Sequence, residues 1–320
     1  MNVDIPMRSF EAEAPRRHGV GAYFACFRGI VWREVLRFLY QRERFFSALV
    51  RPLVWLFIFA AGFRQVLGVS IIPPYTTYVL YETFITPGLI GMILLFNAMQ
   101  SSLSMVYDRE TGAMRTLLVA PFPRSFLLLS KLIGGVAVAL LQAYTFLAIA
   151  YMWDIIPPWY GYLTVLPALL LSGLMLGALA LLMSSLIRQL ENFAGVMNFV
   201  IFPMFFASSA LYPLWRIREG SPLLYEIARL NPFTHAVELI RFALYGEIGA
   251  RIDPTMTPVS AGISLDGVLL PLASGELLDL THVTVVFTCT VVFLAAAVYA
   301  YNPSKGLIAR RGGPGGGNAG

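Results

Sequence analysis

Charge is scarce in this chain: only 13% of its 320 residues are Asp, Glu, Lys or Arg, where a soluble globular domain carries about 25%. Hydrophobic residues make up 58%, and the mean hydropathy is +0.70. The length would allow two soluble domains, but so few charges cannot cover the surface of either, and the main solvent is lipid. Cysteine is as sparse. Cys26 stands beside a basic amphipathic stretch and Cys289 inside an apolar run, which excludes a disulfide scaffold and any paired-cysteine metal motif. Both read as isolated small hydrophobes. The three histidines are scattered at 18, 235 and 282. His235 and Glu238 share a helical face, but two ligands are too few for zinc, and a polar rim is the better reading. No Gly-x-x-x-x-Gly-Lys-Ser/Thr loop occurs, and the glycines of 312–320 precede neither a Lys-Ser/Thr pair nor a helix. No catalytic, metal or cofactor residues are expected in this chain. The net charge of +5 is distributed along it rather than gathered into a phosphate-binding patch, which excludes a nucleic-acid partner.

Long uncharged runs take the place of charge. A hydrocarbon core about 30 Å thick needs about 20 apolar helical residues. Thr83 to Tyr107, Leu132 to Trp153, Ile155 to Ile187, Phe193 to Trp215 and Leu280 to Ser304 contain no Asp, Glu, Lys or Arg. A sixth run, 49–68, carries Arg51 at its start and Arg64 inside, yet Pro52 to Phe63 is too apolar for any other place. The prediction is an all-α polytopic membrane protein with spans near 49–68, 83–106, 130–152, 162–187, 193–213 and 281–301. Pro157, Pro158, Trp159, Tyr160 and Tyr162 form a loop with an aromatic belt before the fourth span. Gly173 and Gly177 allow that span a close helix neighbour.

Basic residues set the orientation. Eight arginines precede the first span, at 8, 16, 17, 28, 33, 37, 42 and 44, and Arg109, Arg115, Arg124 and Lys131 follow the second. Loops 69–82 and 153–161 have none. The chain therefore reads as multi-pass in the cytoplasmic (inner) membrane with both termini cytoplasmic. Residues 1–23 form an N-terminal tail without the apolar region of a signal peptide, 24–302 the membrane domain, and 303–320 a glycine-rich cytoplasmic tail.

Three segments outside the spans have a pattern. In 24–46, Phe24, Phe27, Val31, Val35, Phe38 and Phe45 oppose Arg33, Arg37 and Arg44, giving an amphipathic helix for the inner membrane surface or for a soluble partner. The connection 107–124 opens with Asp108, Arg109 and Glu110, can turn sharply at Gly112, and carries Met114, Leu117 and Leu118 on one face before Pro121 and Pro123. It reads either as a helix that docks a soluble partner or as a solvated loop. Between spans five and six, Leu223, Leu224, Ile227 and Leu230 form one apolar stripe and Val237, Ile240 and Leu244 another, separated by Asn231-Pro232. Two helices of about 15–18 Å are too short to cross. They are expected to enter the outer leaflet and return, or to lie flat upon it. Arg64, past the midplane, either snorkels outward or is a cavity cation.

The order of these pieces resembles a known family. The basic interfacial helix, Arg51-Pro52 with Trp55, Thr86-Pro87-Gly88, the Arg109-Glu110-x-Gly112 loop closing at Pro121, Pro203, Tyr212-Pro213, and Asn231-Pro232-Phe233-Thr234 with Arg241 are similar to the membrane subunit of type-2 ATP-binding-cassette exporters. These are permeases for drugs, polysaccharides and lipo-oligosaccharides. The resemblance implies a permease, homodimeric or paired, that exports an amphiphilic substrate between its two halves. It implies a separate cytoplasmic ATPase subunit that binds ATP and Mg and docks on the interfacial helix and on Asp108, Arg109, Glu110, Gly112, Arg115, Leu117, Leu118 and Pro121. It also implies an external helical pair built around Asn231, Pro232, Phe233 and Arg241. A lipid-modifying enzyme would need acids, histidines or a nucleophile clustered at one depth, and a channel a repeated pore helix or charged ring. The runs show neither pattern.

Overall fold

The computed structural model describes residues 19–40, 42–58, 62, 70–71, 78–79, 81–112, 122–187, 189–245 and 280–300. Apart from a two-residue antiparallel pairing of β1 (Ser70–Ile71) with β2 (Tyr78–Val79), every described element is a helix. In chain order these are α1 (Val20–Tyr40), α2 (Arg42–Ile58), α3 (Tyr81–Glu110), α4 (Arg124–Tyr151), α5 (Gly161–Leu186), α6 (Leu190–Phe206), α7 (Leu214–Gly220), α8 (Pro222–Leu230), α9 (Pro232–Tyr245) and α10 (Leu280–Ala300).

Four of them, α3, α4, α5 and α10, are long and apolar enough to cross a membrane. At 1.5 Å per residue they measure about 32–45 Å. The two remaining expected spans are shorter among the described residues. The apolar part of α2 is Leu49–Ile58, and α6 holds 17 residues. The fifth run therefore stops being helical earlier than its uncharged length suggests. The backbone N–H of Ala207 bonds the Pro203 carbonyl at 2.9 Å, and a turn through Ser208, Ser209 and Ala210 leads to Pro213 and the short α7. Arg64 lies outside the described residues.

The amphipathic segment is helical from Val20, and α2 begins at Arg42, so one helix over 24–46 becomes two. Of its apolar face, Phe38 is buried and Phe27, Val31 and Val35 are half-buried, but Phe24 is exposed. Arg28, Arg33 and Arg37 are exposed as the pattern requires. α1 runs beside α4. The Tyr23 ring meets Phe122 and Phe126 edge-on at 5.1 Å, and the Glu34 stem lies against Gly134, where a Cβ would be 3.2 Å from Glu34 Cγ.

α5 is the centre of the bundle and packs on α10, α3, α9 and α4. Gly173 and Gly177 do admit a close neighbour, within the chain: a Cβ at Gly173 would meet Val136 Cγ1 at 3.1 Å and one at Gly177 would meet Leu132 Cδ1 at 2.5 Å. The apolar core runs through α3, α4, α5, α6 and α9, with Leu89, Ile90, Phe146, Leu169, Phe193 and Phe233 all fully buried. Cys26 and Cys289 are both free.

Candidate functional site

Polar side chains gather at two opposite ends of this bundle. At one end, α3 finishes in Asp108-Arg109-Glu110, which belong to its last turn rather than to a separate loop. Asp108 accepts from Lys131 of α4 at 3.0 Å, and the lysine side chain is only 6% exposed. Glu110 Oε1 accepts the backbone N–H of Leu190 at 2.8 Å. Leu190 opens α6, whose first N–H groups have no partner within the helix, and a carboxylate there also complements the helix dipole. The chain then reverses at Gly112, whose φ of +76° favours glycine, with its N–H on the Arg109 carbonyl at 3.3 Å. Arg115, Leu117, Leu118 and Pro121 lie outside the described residues. Lys131, only one more basic residue in the sequence count, and Leu190, named for its backbone, were not among the expected contacts. The available signal was the opposite charge of Asp108 and Lys131 at facing ends of a helical hairpin.

At the other end, α9 meets the starts of α3, α5 and α10. Asn231 explains its own motif. Its Nδ2 donates to the carbonyls of Met204 and Ala207, both at 2.8 Å, and its Oδ1 accepts the Phe233 N–H at 3.0 Å. One amide thus satisfies carbonyls left over at the C-terminus of α6 and caps the N-terminus of α9, where Pro232 fits the first helical position. Phe233 is fully buried against Phe205, 6.2 Å away between ring centroids. Of the two apolar stripes, Val237, Ile240 and Leu244 are fully buried inside the chain. The α8 stripe is not, with Leu223 73% and Leu230 81% exposed.

Arg241 is 1% exposed and is engaged on three sides, with its Nε buried and unpartnered among the described residues. It forms a salt bridge with Glu238, its Nη2 donates to the Ser209 carbonyl at 2.8 Å, and its guanidinium covers the Phe84 ring at 4.2 Å. Burial is the largest single influence and raises the Glu238 carboxyl, but Arg241, Ser209 and His282 together hold the group below the ordinary carboxylate value. His235 and His282 bring α9 and α10 together, Nδ1 to Nδ1, at 2.8 Å. His235 Nε2 is 2.9 Å from the Arg229 carbonyl, which can only accept, so in a neutral His235 the Nδ1 accepts and His282 donates. Burial holds the His235 imidazole below its usual value. The pairing with His282 was not legible from His235 and Glu238 alone. Among the described residues no group of three or more His, Cys, Asp or Glu could hold a metal.

Thr86-Pro87-Gly88 also has a spatial meaning: a Cβ on Gly88 would lie 2.5 Å from the Ala210 carbonyl oxygen, so α3 passes the turn after α6 at backbone contact.

The sequence places this helical membrane bundle in one class of transporter. A sequence model described as "ABC-2 type transporter" covers residues 25–245, and the chain belongs to that family. A relative named transport permease ycf38, from Pyropia yezoensis, is 26% identical over 73% of this chain and 79% of its own length. One named multidrug ABC transporter permease YbhR, from Escherichia coli K12, is 32% identical over 50% of this chain and 43% of its own length. Nodulation protein J of Neorhizobium galegae is 23% identical over 62% of this chain and 72% of its own.

Proposed function

We propose that this chain is the permease subunit of an ATP-driven exporter that moves an amphiphilic substrate, of drug, lipid-linked or saccharide type, across or out of the cytoplasmic membrane. In this reading it spans six times with both termini inside, α2 and α6 completing the set, and α8 and α9 enter the outer leaflet and return. ATP and Mg are bound by a separate cassette ATPase that docks on α1 and on the 107–124 connection. A second permease copy completes the pathway. Family membership supports the pairing with a cassette partner, the name of the multidrug relative supports a drug-type substrate, and the lipid-linked and saccharide types rest on the resemblance to type-2 exporters.

The observation that carries this reading is that α6 is fastened at both ends. Glu110, beside the proposed docking loop, holds its N-terminus, and Asn231, at the corner of the helical pair, holds its C-terminus. A displacement of the loop by an ATPase would be passed along a rigid helix to the far side of the bundle, because packed elements move as units rather than deform continuously. Lys131 and Asp108 keep α4 in the same linkage. Without differential contacts of this kind, hydrolysis on another subunit could not shift the permease between states.

The test is to purify the full chain with its associated proteins from source membranes. An ATPase should copurify, and replacing Arg109 and Glu110 together by alanine should leave insertion intact while separating hydrolysis from transport. Absence of any ATPase from the purified complex would sink the proposal.

A further inference from the structure

One face of α3 is polar although it lies within an uncharged run. Asn97, Ser101 and Ser104 recur at steps of four and three, which places them on one side of the helix. Beyond Ser104 the same face reaches Asp108, the partner of Lys131. Asn97, Ser101 and Ser104 line a small open cleft between α1, α3 and α4, and its opposite wall carries Glu34 and Arg37 of α1. Gly135 forms the floor, and a Cβ there would be 3.0 Å from the Ser101 oxygen.

The charges in this cleft are unequal. Glu34 is 13% exposed and already bonded to Arg33 at 2.9 Å. Arg37 is exposed, and among the described residues it makes no ion pair or hydrogen bond. A second guanidinium, Arg51, lies over the Phe96 ring at 3.8 Å, next to Asn97. Ser104 and Asn97 are about 9 and 20 Å along α3 from its Glu110 end, so the cleft runs from the membrane interface into the leaflet. An arginine at that depth needs an anion or water beside it. The anion abundant at that level of a cytoplasmic leaflet is a lipid phosphate. Ser104 gives its hydroxyl proton to the Ser101 carbonyl at 2.8 Å and Asn97 gives one amide proton to the Ile93 carbonyl at 3.2 Å. The Arg37 guanidinium, the Ser101 hydroxyl and the second Asn97 amide proton remain as donors suited to phosphate oxygens.

We propose that this cleft binds the phosphate of an anionic glycerophospholipid headgroup, with Arg37 as its ion partner and Asn97 and Ser101 as hydrogen-bond donors beside it. The site rests on the orientation proposed above, which puts the Glu110 end of α3 inside, and it adds a specific lipid position to the permease. A bound headgroup would hold α1 against α3 and α4 and so set the posture of the helix on which the ATPase is proposed to dock.

The test uses the full-length permease alone in detergent and reads retained lipid by native mass spectrometry. Phosphatidylglycerol should be retained, and diacylglycerol with the same chains should not. Arg37→Gln and Asn97→Leu should each lower phosphatidylglycerol retention by about tenfold, the order of one charge-assisted hydrogen bond, and Arg37→Lys should keep most of it. Unchanged retention in both Arg37→Gln and Asn97→Leu would overturn the site. Displacement of the lipid by equimolar inorganic phosphate would identify a soluble phosphate as the occupant and overturn the lipid assignment. No ATPase enters the measurement, so its failure leaves the transport reading standing, and the failure of that reading leaves this result interpretable.

Discussion

Glu110 and Leu190 are 80 positions apart, yet the carboxylate of the first caps the backbone N–H of the second at 2.8 Å. The contact joins the last turn of α3 to the first turn of α6 and uses no side chain of Leu190. Because the capped group is backbone, changes at Leu190 leave the acceptor demand intact and only changes at Glu110 remove it.

Glu110→Ala should therefore insert and assemble normally but transport poorly at an unchanged rate of ATP hydrolysis. Loss of a helix cap costs about 0.5–2 kcal/mol, too little to unfold the bundle and enough to loosen one joint. Glu110→Gln keeps an oxygen acceptor and should retain more transport per ATP than the alanine variant. Equal coupling in wild type, alanine and glutamine forms would remove Glu110 from the linkage.

The buried pair in α9 gives a different kind of prediction. Removing one partner of a buried ion pair strands the other and costs about 3–5 kcal/mol, while replacing both by apolar residues of similar volume is often neutral. Glu238→Met should lower the melting temperature of the solubilised protein sharply, since Arg241 would keep only the Ser209 carbonyl and the Phe84 ring. The double variant Glu238→Met, Arg241→Met should recover much of the loss. A double variant as unstable as the single one would show that Arg241 stabilises α9 through its other contacts.

Much of this architecture was legible in the sequence because a membrane makes the code simple. Length without charge marks a helix, and the long helices α3, α4, α5 and α10 fall on expected runs. What the hydrophobic pattern could not show is where an uncharged run stops being helical. α6 ends at Phe206 because Asn231 takes its last carbonyls, a partner that lies beyond the next two helices. The polar face Asn97, Ser101, Ser104 leaves no mark on the charge pattern, since serine and asparagine do not interrupt an uncharged run. Asp108 and Glu110 stand out in the sequence as charged residues of an expected docking segment, but their partners Lys131 and the Leu190 backbone depend on tertiary packing. Asn231-Pro232 was legible as a break, and only the structure gives the reason that asparagine stands there.

The proposed topology has a direct check. Reporter fusions at residues 75, 157 and 260 should register outside, and those at 115, 190 and 312 inside, as the arginine bias requires. The linkage sets the same condition, because Glu110 and Leu190 are in contact and must share a side of the membrane. Opposite signals at 115 and 190, or reversed signals at any two sites, would overturn the six-span arrangement.

The helical pair offers the last prediction, and the structure sharpens it by treating its two stripes differently. Ile240 is fully buried by the chain itself, whereas Ile227 is 48% exposed beside Leu223, Leu224 and Leu230. Water around such a stripe is unfavourable by about 1.5–3 kcal/mol per large aliphatic side chain relative to burial, so lipid or a second copy must cover α8. A cysteine at 240 should resist a charged thiol reagent added outside in any setting, because protein alone shields it. A cysteine at 227 should resist the reagent in membranes and react once lipid and partner are stripped by a harsh detergent, while one at 255 should react throughout. Rapid labelling at 227 in intact membranes would place α8 in water, and the outer-leaflet role of the pair would have to be abandoned even though α9 remains in the core.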